Sequence, residues 1–541
     1  MDPMERGSTI GIINGVVYPL APPGRATALF ARDGVLEFIG GDEEVIARCD
    51  HRTTLLDLKG AFVFPAFGDT HLHLMEYGRS LVSLDLRGAS SIPQMIGMGR
   101  KAVEGDPSRG WHIGWGWDQE SLEERRFPTR RDLDLISDQR PIFYERACGH
   151  VGVLNTPGLR ELGLMDDPRM AGPFVETDLD GVPNGVVSEE ALMWVRSRLP
   201  VSSEDELRCW LKRACEALLA KGVTWVQSDD LSAFGSLKRM AEFYLEEDKE
   251  GRLPLRVDLI FRIGSRSELE ELEEALRLFR AVKPRHCGIG PVKLVLDGTI
   301  GARTAALNEP YWDAASERGF LAFTQEELEF LMRAVEPLGC QVACHAIGDR
   351  ALAQAVSAFE SLQVGGSSGL PPRVLHCQVG DPELYSRMAE LGVTADIQPL
   401  FLANDWKIIL DRLGPDRARN SYAWKTMVDR GVALSGESDA PYGISDPLEG
   451  IRIAVTRKDL HGEPEHGWMP NQRLDISEAF WLYTGGAAKV CGRWRNRGSL
   501  EVGKSADFIA LLEDPFRVEP DRIGGVEVGL TVCGGKIRYL R

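Results

Sequence analysis

Seven short apolar, β-branched runs succeed one another between residues 222 and 440: "GVTWVQS", "LPLRVDLIFR", "GPVKLVLDG", "CQVACHAIGD", "PRVLHCQVG", "GVTADIQPL" and "GVALSGESDA". Between most of them lie amphipathic stretches such as "SELEELEEALRLFRAV" and "TQEELEFLMRAVEPLG", with apolar residues at helical spacing. Strands that alternate with helices pair in parallel, because each crossover must carry the chain back to its start. With "AFVFPAF" as the first run there are eight such units. Eight βα units predict an α/β fold, a (β/α)8 TIM barrel, over residues 61–489. The segment 75–200 does not fit the repeat. It reads as a long insertion after the first strand, a lid over the barrel mouth.

The two chain ends share a different texture. Residues 1–60 hold short β-type runs, "TIGIINGVVYPL", "ALFARDGVLEFIG" and "TTLLDLKG". Asn14-Gly15 and Asp33-Gly34 are hairpin-turn pairs. Residues 490–541 return to this texture with "SADFIALLED" and "GVEVGLTVCGGKIRYLR". Strands need partners, and these two pieces are each other's simplest partners. A small composite β-sandwich built from both ends is expected.

The net charge of −18 argues against nucleic acid and against anionic membrane surfaces, since both need a basic face. No apolar run approaches the ~18 residues of a membrane span, and "MDPMERGSTI" has no signal-peptide pattern. The ten cysteines form no CxxC pair. They read as buried free thiols in a reducing cytoplasm. The expected partners are a small-molecule substrate and, for oligomerisation, further copies of the same chain.

The chain has only ten histidines, yet "FPAFGDTHLHL" places His71 and His73 two apart after an apolar run. Spacing of two on an extended segment puts both imidazoles on one side, as a divalent metal such as zinc requires. In a βα barrel the chemistry sits at the C-terminal strand ends. His345 ends strand five, His376 ends strand six and Asp439 ends strand eight, while strand four carries Lys293 and Asp297. Four histidines and an aspartate thus fall on one barrel face.

"FPAFGDTHLHL" together with "GWGWDQ", "CGHVGVLN", "NGVVSEEA", "VKLVLDGTIGARTAAL", "CHAIGDRA", "LHCQ" and "SGESDAP" resembles the amidohydrolase superfamily, in its YtcJ-like branch, over nearly the whole chain. Ala66 and Gly68 depart from the pattern, where the family has Gly and a β-branched residue. The resemblance implies one or two divalent ions, zinc above all. His71 and His73 would bind the more buried ion. Asp439 would bind it too and shuttle the proton. His345 and His376 would hold a second ion, or one would bind while the other polarises the substrate carbonyl. Lys293 would be carboxylated and bridge two ions, since an ammonium cannot ligate; Asp297 would cap the next turn. Metal-activated hydroxide would then cleave a non-peptide C–N bond of amide type, Asp439 passing the proton to the leaving amine.

Substrate contacts are expected from the loops. Trp115 and Trp117, with Trp111, are aromatics suited to a pocket mouth. Arg303 suits a bidentate carboxylate contact. His150 and Glu189 belong to the insertion. A deaminase, an esterase or lactonase on the same barrel, and a metal-free scaffold are the alternatives. Deaminases of the superfamily carry a glutamate shortly after the strand-five histidine, where this chain has Ala346, Ile347, Gly348 and Asp349.

Overall fold

The structure is a computed structural model, and it describes residues 9–20, 24–105, 110–147, 149–199, 203–362 and 368–541. The chain divides into two compact units, Met1–Leu74 with Cys215–Arg541, and Met75–Ala214.

The first unit is built on eight parallel strands: β1 (Phe67–Leu72), β2 (Val223–Ser228), β3 (Arg256–Arg262), β4 (Cys287–Val295), β5 (Val342–Ala346), β6 (Arg373–His376), β7 (Thr394–Ile397) and β8 (Leu434–Gly436). Their spatial order is their chain order. Helices follow the strands as the amphipathic spacing predicts. Gln325–Val335, for example, opens on a capping box in which Thr324 and Glu327 satisfy each other's backbone N–H. No ladder joins β8 to β1; single bonds close the barrel there. Thr70 Oγ1 donates to the Gly436 carbonyl at 3.1 Å, and the Asp439 N–H donates to the His71 carbonyl at 2.9 Å.

The first barrel strand is not the run "AFVFPAF". Phe62–Pro65 pairs instead with Phe508–Leu511 of the C-terminal end. Pro65 has no N–H to continue a ladder. The next two amides part ways: Ala66 donates to the Asp507 carbonyl and Phe67 to the Gly222 carbonyl, at 3.1 and 3.0 Å. The apolar run therefore feeds two sheets in succession, and His71 lies within β1 rather than after it.

Strands from both chain ends share a five-stranded sheet, in the order Val16–Val17, Phe62–Pro65, Phe508–Leu511, Val528–Cys533, Lys536–Leu540. A four-stranded sheet comes from Thr9–Ile13, Ala28–Arg32, Val35–Gly40 and Thr53–Asp57. One apolar cluster, with Ile10, Leu29 and Leu36 from the second sheet and Val63, Phe508 and Val532 from the first, joins them. Asp33-Gly34 turns a hairpin between Ala28–Arg32 and Val35–Gly40, both residues at positive φ. Asn14-Gly15 does not: Thr9–Ile13 and Val16–Val17 lie in different sheets, so this pair is a crossing point.

Gly68 explains its departure from the family pattern. A Cβ built there would lie 2.0 Å from the Trp225 ring. Trp225 packs with Ala487, Ala488 and Cys491 and occupies the space a branched side chain would fill. Gly68→Val is therefore expected to destabilise by about 1–3 kcal/mol or more through overpacking. Comparing the thermal midpoint of Gly68→Val with that of Gly68→Val/Trp225→Leu checks this, the second change restoring much of the loss.

Met75–Ala214 contains a six-stranded sheet in the order Val175–Thr177, Pro183–Ser188, Val151–Leu154, Ile142–Arg146, His112–Trp117, Leu84–Asp85. Trp117 is fully buried in this unit's own core, and its Nε1 donates to the Tyr144 carbonyl at 3.2 Å. Among the described residues the cysteines are free, but Cys209 is exposed and Cys49 half-buried, against the expectation of uniform burial. Cys148 lies outside the described residues. No helix among the described residues is long and apolar enough to cross a membrane.

Candidate metal centre

Beneath the C-terminal mouth of the barrel lies a buried polar layer. Arg373, at the start of β6, is fully buried. It donates through Nε to Asp396 Oδ2 at 3.0 Å and through Nη2 to the Thr70 carbonyl at 3.0 Å, and it bonds the side chain of Gln227. Ser435 Oγ donates to the other oxygen of Asp396. This layer ties β1, β2, β6, β7 and β8 together and fixes the strand ends above it.

Those ends bring together His71, His73, His376, Asp439 and a residue missed in the sequence, Glu437. His71 Nδ1 lies 3.1 Å from Glu437 Oε2 and 3.3 Å from Asp439 Oδ1. His73 Nε2 lies 3.2 Å from Asp439 Oδ1, and His376 Nδ1 lies 3.2 Å from Glu437 Oε1. Four of these buried atoms, His71 Nδ1, His376 Nδ1, Glu437 Oε2 and Asp439 Oδ1, have no aligned hydrogen bond. Buried polar groups are almost always bonded, and donors on metal–ligand bonds of about 2.1 Å in tetrahedral geometry stand about 3.4 Å apart. The unbonded donor atoms of His71, His376 and Asp439, with Glu437 beside them, fit a divalent cation. His71, His376 and Asp439 form one group whose ligand atoms lie within 4.8 Å of one another; His71, His73 and Asp229 form another.

Asp229, at the end of β2, was also missed. It accepts from Lys293 Nζ at 3.1 Å, while its backbone carbonyl meets His73 Nδ1 at 2.5 Å. Burial pushes its carboxyl up, but Arg262, Lys293 and His73 together bring it well below the usual carboxylate range. Burial, with Lys293 beside it, holds His71 well below the ordinary imidazole value, so the ring is neutral as a ligand must be. For Asp439, burial opposes ionisation, yet His73, 3.2 Å from its Oδ1, and the other nearby positive groups leave its pKa lowered. His376 and Asp439 both adopt left-handed backbone, φ 72° and 52°. Such conformations cost roughly 1–3 kcal/mol each and cluster at functional sites.

The other expected residues are placed differently. Lys293 Nζ lies 2.8 Å from His71 Nε2. His345 is outside both donor groups. Its ring packs on His376 with centroids 4.4 Å apart, and its Nε2 faces the Gly298 carbonyl at 3.3 Å and Asp297 at 3.5 Å. Asp297 accepts three backbone N–H groups, from Ala306, Ile347 and Gly348, and so organises the loops after β4 and β5. The guanidinium of Arg303 pairs with Asp313 through contacts of 3.1 and 2.8 Å. Trp115 carries Arg87 over its ring, and His150 meets Glu189 at 3.2 Å, both within Met75–Ala214. Trp117, as core, is no pocket-mouth aromatic.

The model of the amidohydrolase family matches residues 54–539. The chain belongs to the amidohydrolase family. This amidohydrolase is 32% identical to YtcJ of Bacillus subtilis over 528 residues, 97% of this chain and 98% of that protein. It is 25% identical to the N-substituted formamide deformylase of Arthrobacter pascens, across 95% of each. A metal-dependent hydrolase from Pyrococcus furiosus superposes with a TM-score of 0.77 at 32% identity, over 94% of this chain and 100% of that one. The amidohydrolase is thus a metal-dependent hydrolase, and the donor cluster is where its divalent ion fits.

Glu437 follows β8 directly and its Oε2 lies 3.1 Å from His71 Nδ1. Glu437→Gln is expected to weaken metal retention about 10–100-fold, the loss typical of a supporting carboxylate. Competition against a chromophoric chelator measures it.

Proposed function

We propose that this amidohydrolase cleaves the C–N bond of a small-molecule amide, using zinc. The carrying observation is the group of His71, His376 and Asp439, whose ligand atoms lie within 4.8 Å of one another, with His71 Nδ1, His376 Nδ1 and Asp439 Oδ1 unbonded. Two nitrogens and one oxygen suit zinc, and the relative that acts on N-substituted formamides supports an amide-type bond. When bound, the ion supplies Lewis acidity and makes water acidic near neutral pH.

The protein's side chains supply the rest. Asp439, kept ionised, accepts the proton of the attacking water and returns it to the departing nitrogen, which would otherwise have to leave as an amide anion, a very poor leaving group. His73 holds the Asp439 carboxylate in place at 3.2 Å. Burial excludes bulk water from His71 and Glu437.

Lys293 favours carboxylation on tautomer grounds. An ammonium donating to His71 Nε2 uses the only lone pair of a neutral imidazole and leaves Nδ1 carrying a proton. His71 then ligates through neither nitrogen. Converting Nζ to a carbamate replaces a positive charge by a negative one and frees the ring. The test is a hydrolysis screen over N-formyl and N-acyl amines, with zinc uptake measured with and without bicarbonate. Turnover of an amide with bicarbonate-dependent uptake is the expected result. Zinc-loaded protein inert to every amide but active on esters would overturn the bond assignment.

A further inference from the structure

Gln398, at the end of β7, is 1% exposed, and both polar atoms of its carboxamide, Oε1 and Nε2, are buried without a hydrogen-bond partner. Its place in the barrel follows from strand alternation. Asp396 points inward, since it binds Arg373 and Ser435 in the buried layer. Gln398 lies two residues on and shares that side, one layer nearer the mouth. Its neighbour across the strands is the metal-centre segment, because the Glu437 N–H donates to the Ile397 carbonyl at 3.0 Å. Methionine or leucine would fill the same space with no unmet polar group. A carboxamide held there with both ends unmet is poised for a partner that enters and leaves.

We infer that Gln398 reads the substrate's amide group, its Nε2 donating to the substrate carbonyl oxygen and its Oε1 accepting from the substrate N–H. A carboxamide carries a donor and an acceptor side by side, which complements an N–C=O unit held in its cis conformer, with N–H and C=O on the same side. An ester offers the carbonyl but no N–H. Gln398 would therefore be the residue that makes a secondary amide or formamide preferred over an ester. This inference rests on the amide-hydrolase reading above.

The experiment compares wild type with Gln398→Met on N-butylformamide and butyl formate, in zinc-loaded protein. The expected result is a fall of about 10²-fold or more in kcat/KM for the formamide and a much smaller fall for the formate, because a site built for a hydrogen bond loses far more when that bond is removed. Zinc content and thermal midpoint should not fall, since the substitution removes only unbonded polar atoms. If Gln398→Met does not fold, Gln398→Leu removes the same donor and acceptor and should show the same loss of preference. Calorimetric binding of N-butylformamide to Asp439→Asn protein adds a readout that needs no turnover; adding Gln398→Met should weaken it at least tenfold. Equal losses on the two substrates, or unchanged binding, would overturn the inference while leaving the hydrolase reading intact. Zinc-loaded wild type that neither binds nor cleaves the formamide would overturn both.

Discussion

Asp439→Asn is expected to lower kcat by about 10²–10⁴-fold or more while the protein stays folded. The asparagine is nearly isosteric, so the left-handed backbone at this position and the 2.9 Å bond from its N–H to the His71 carbonyl are kept. What is lost is the ability to take a proton, and with it a negative charge beside His71 and His73. Loss of a general base accounts for about 10²–10⁴-fold, and weaker metal retention adds to it. The measurement is kcat with saturating zinc beside a thermal melt. A variant that kept a tenth of wild-type kcat would place the proton transfer on another residue.

The largest effect on stability is expected one layer below. Arg373 and Asp396 are both fully buried and bonded to each other. Arg373→Leu leaves the Asp396 carboxylate with Ser435 as its remaining side-chain partner and strips donors from Gln227 and the Thr70 carbonyl. Breaking a buried pair by removing one partner typically costs about 3–5 kcal/mol. Replacing both members by apolar residues is far milder, so Arg373→Leu/Asp396→Leu should recover a large part of the loss. Guanidinium denaturation of the three proteins measures this. Equal destabilisation in single and double variants would mean that the isolated charge is not the cause.

Much of this was legible in the sequence, for physical reasons that also mark where reading stopped. Period-two spacing and strand-helix alternation are local, so the eight-fold repeat and the position of His71, His73, His376 and Asp439 at strand ends could be read directly. The choice between two sheets for "AFVFPAFGDTHLHL" depends on Phe508 and Gly222, both far along the chain, and local pattern placed the first barrel strand too early. Glu437 shares the two-residue spacing with Asp439, but "GESDAP" has the composition of a turn, which hid it. Asp229 followed a strand whose end carried no histidine to draw attention. Trp117 and Arg303 are harder to read: aromatic and cationic residues serve a core or an ion pair as readily as a substrate, and the structure sets them beside Tyr144 and Asp313.

The central claim is that the buried donors at the strand ends exist to hold a divalent ion. Elemental analysis of the purified protein, after dialysis against metal-free buffer, tests it most directly, with His71→Ala alongside. One to two divalent ions per chain in the wild type, zinc foremost, and a loss of at least one of them in His71→Ala is the predicted result. Folded wild-type protein that hydrolyses its substrate with less than about a tenth of an ion per chain would contradict it, since water near neutral pH would then be activated without the Lewis acid the account requires.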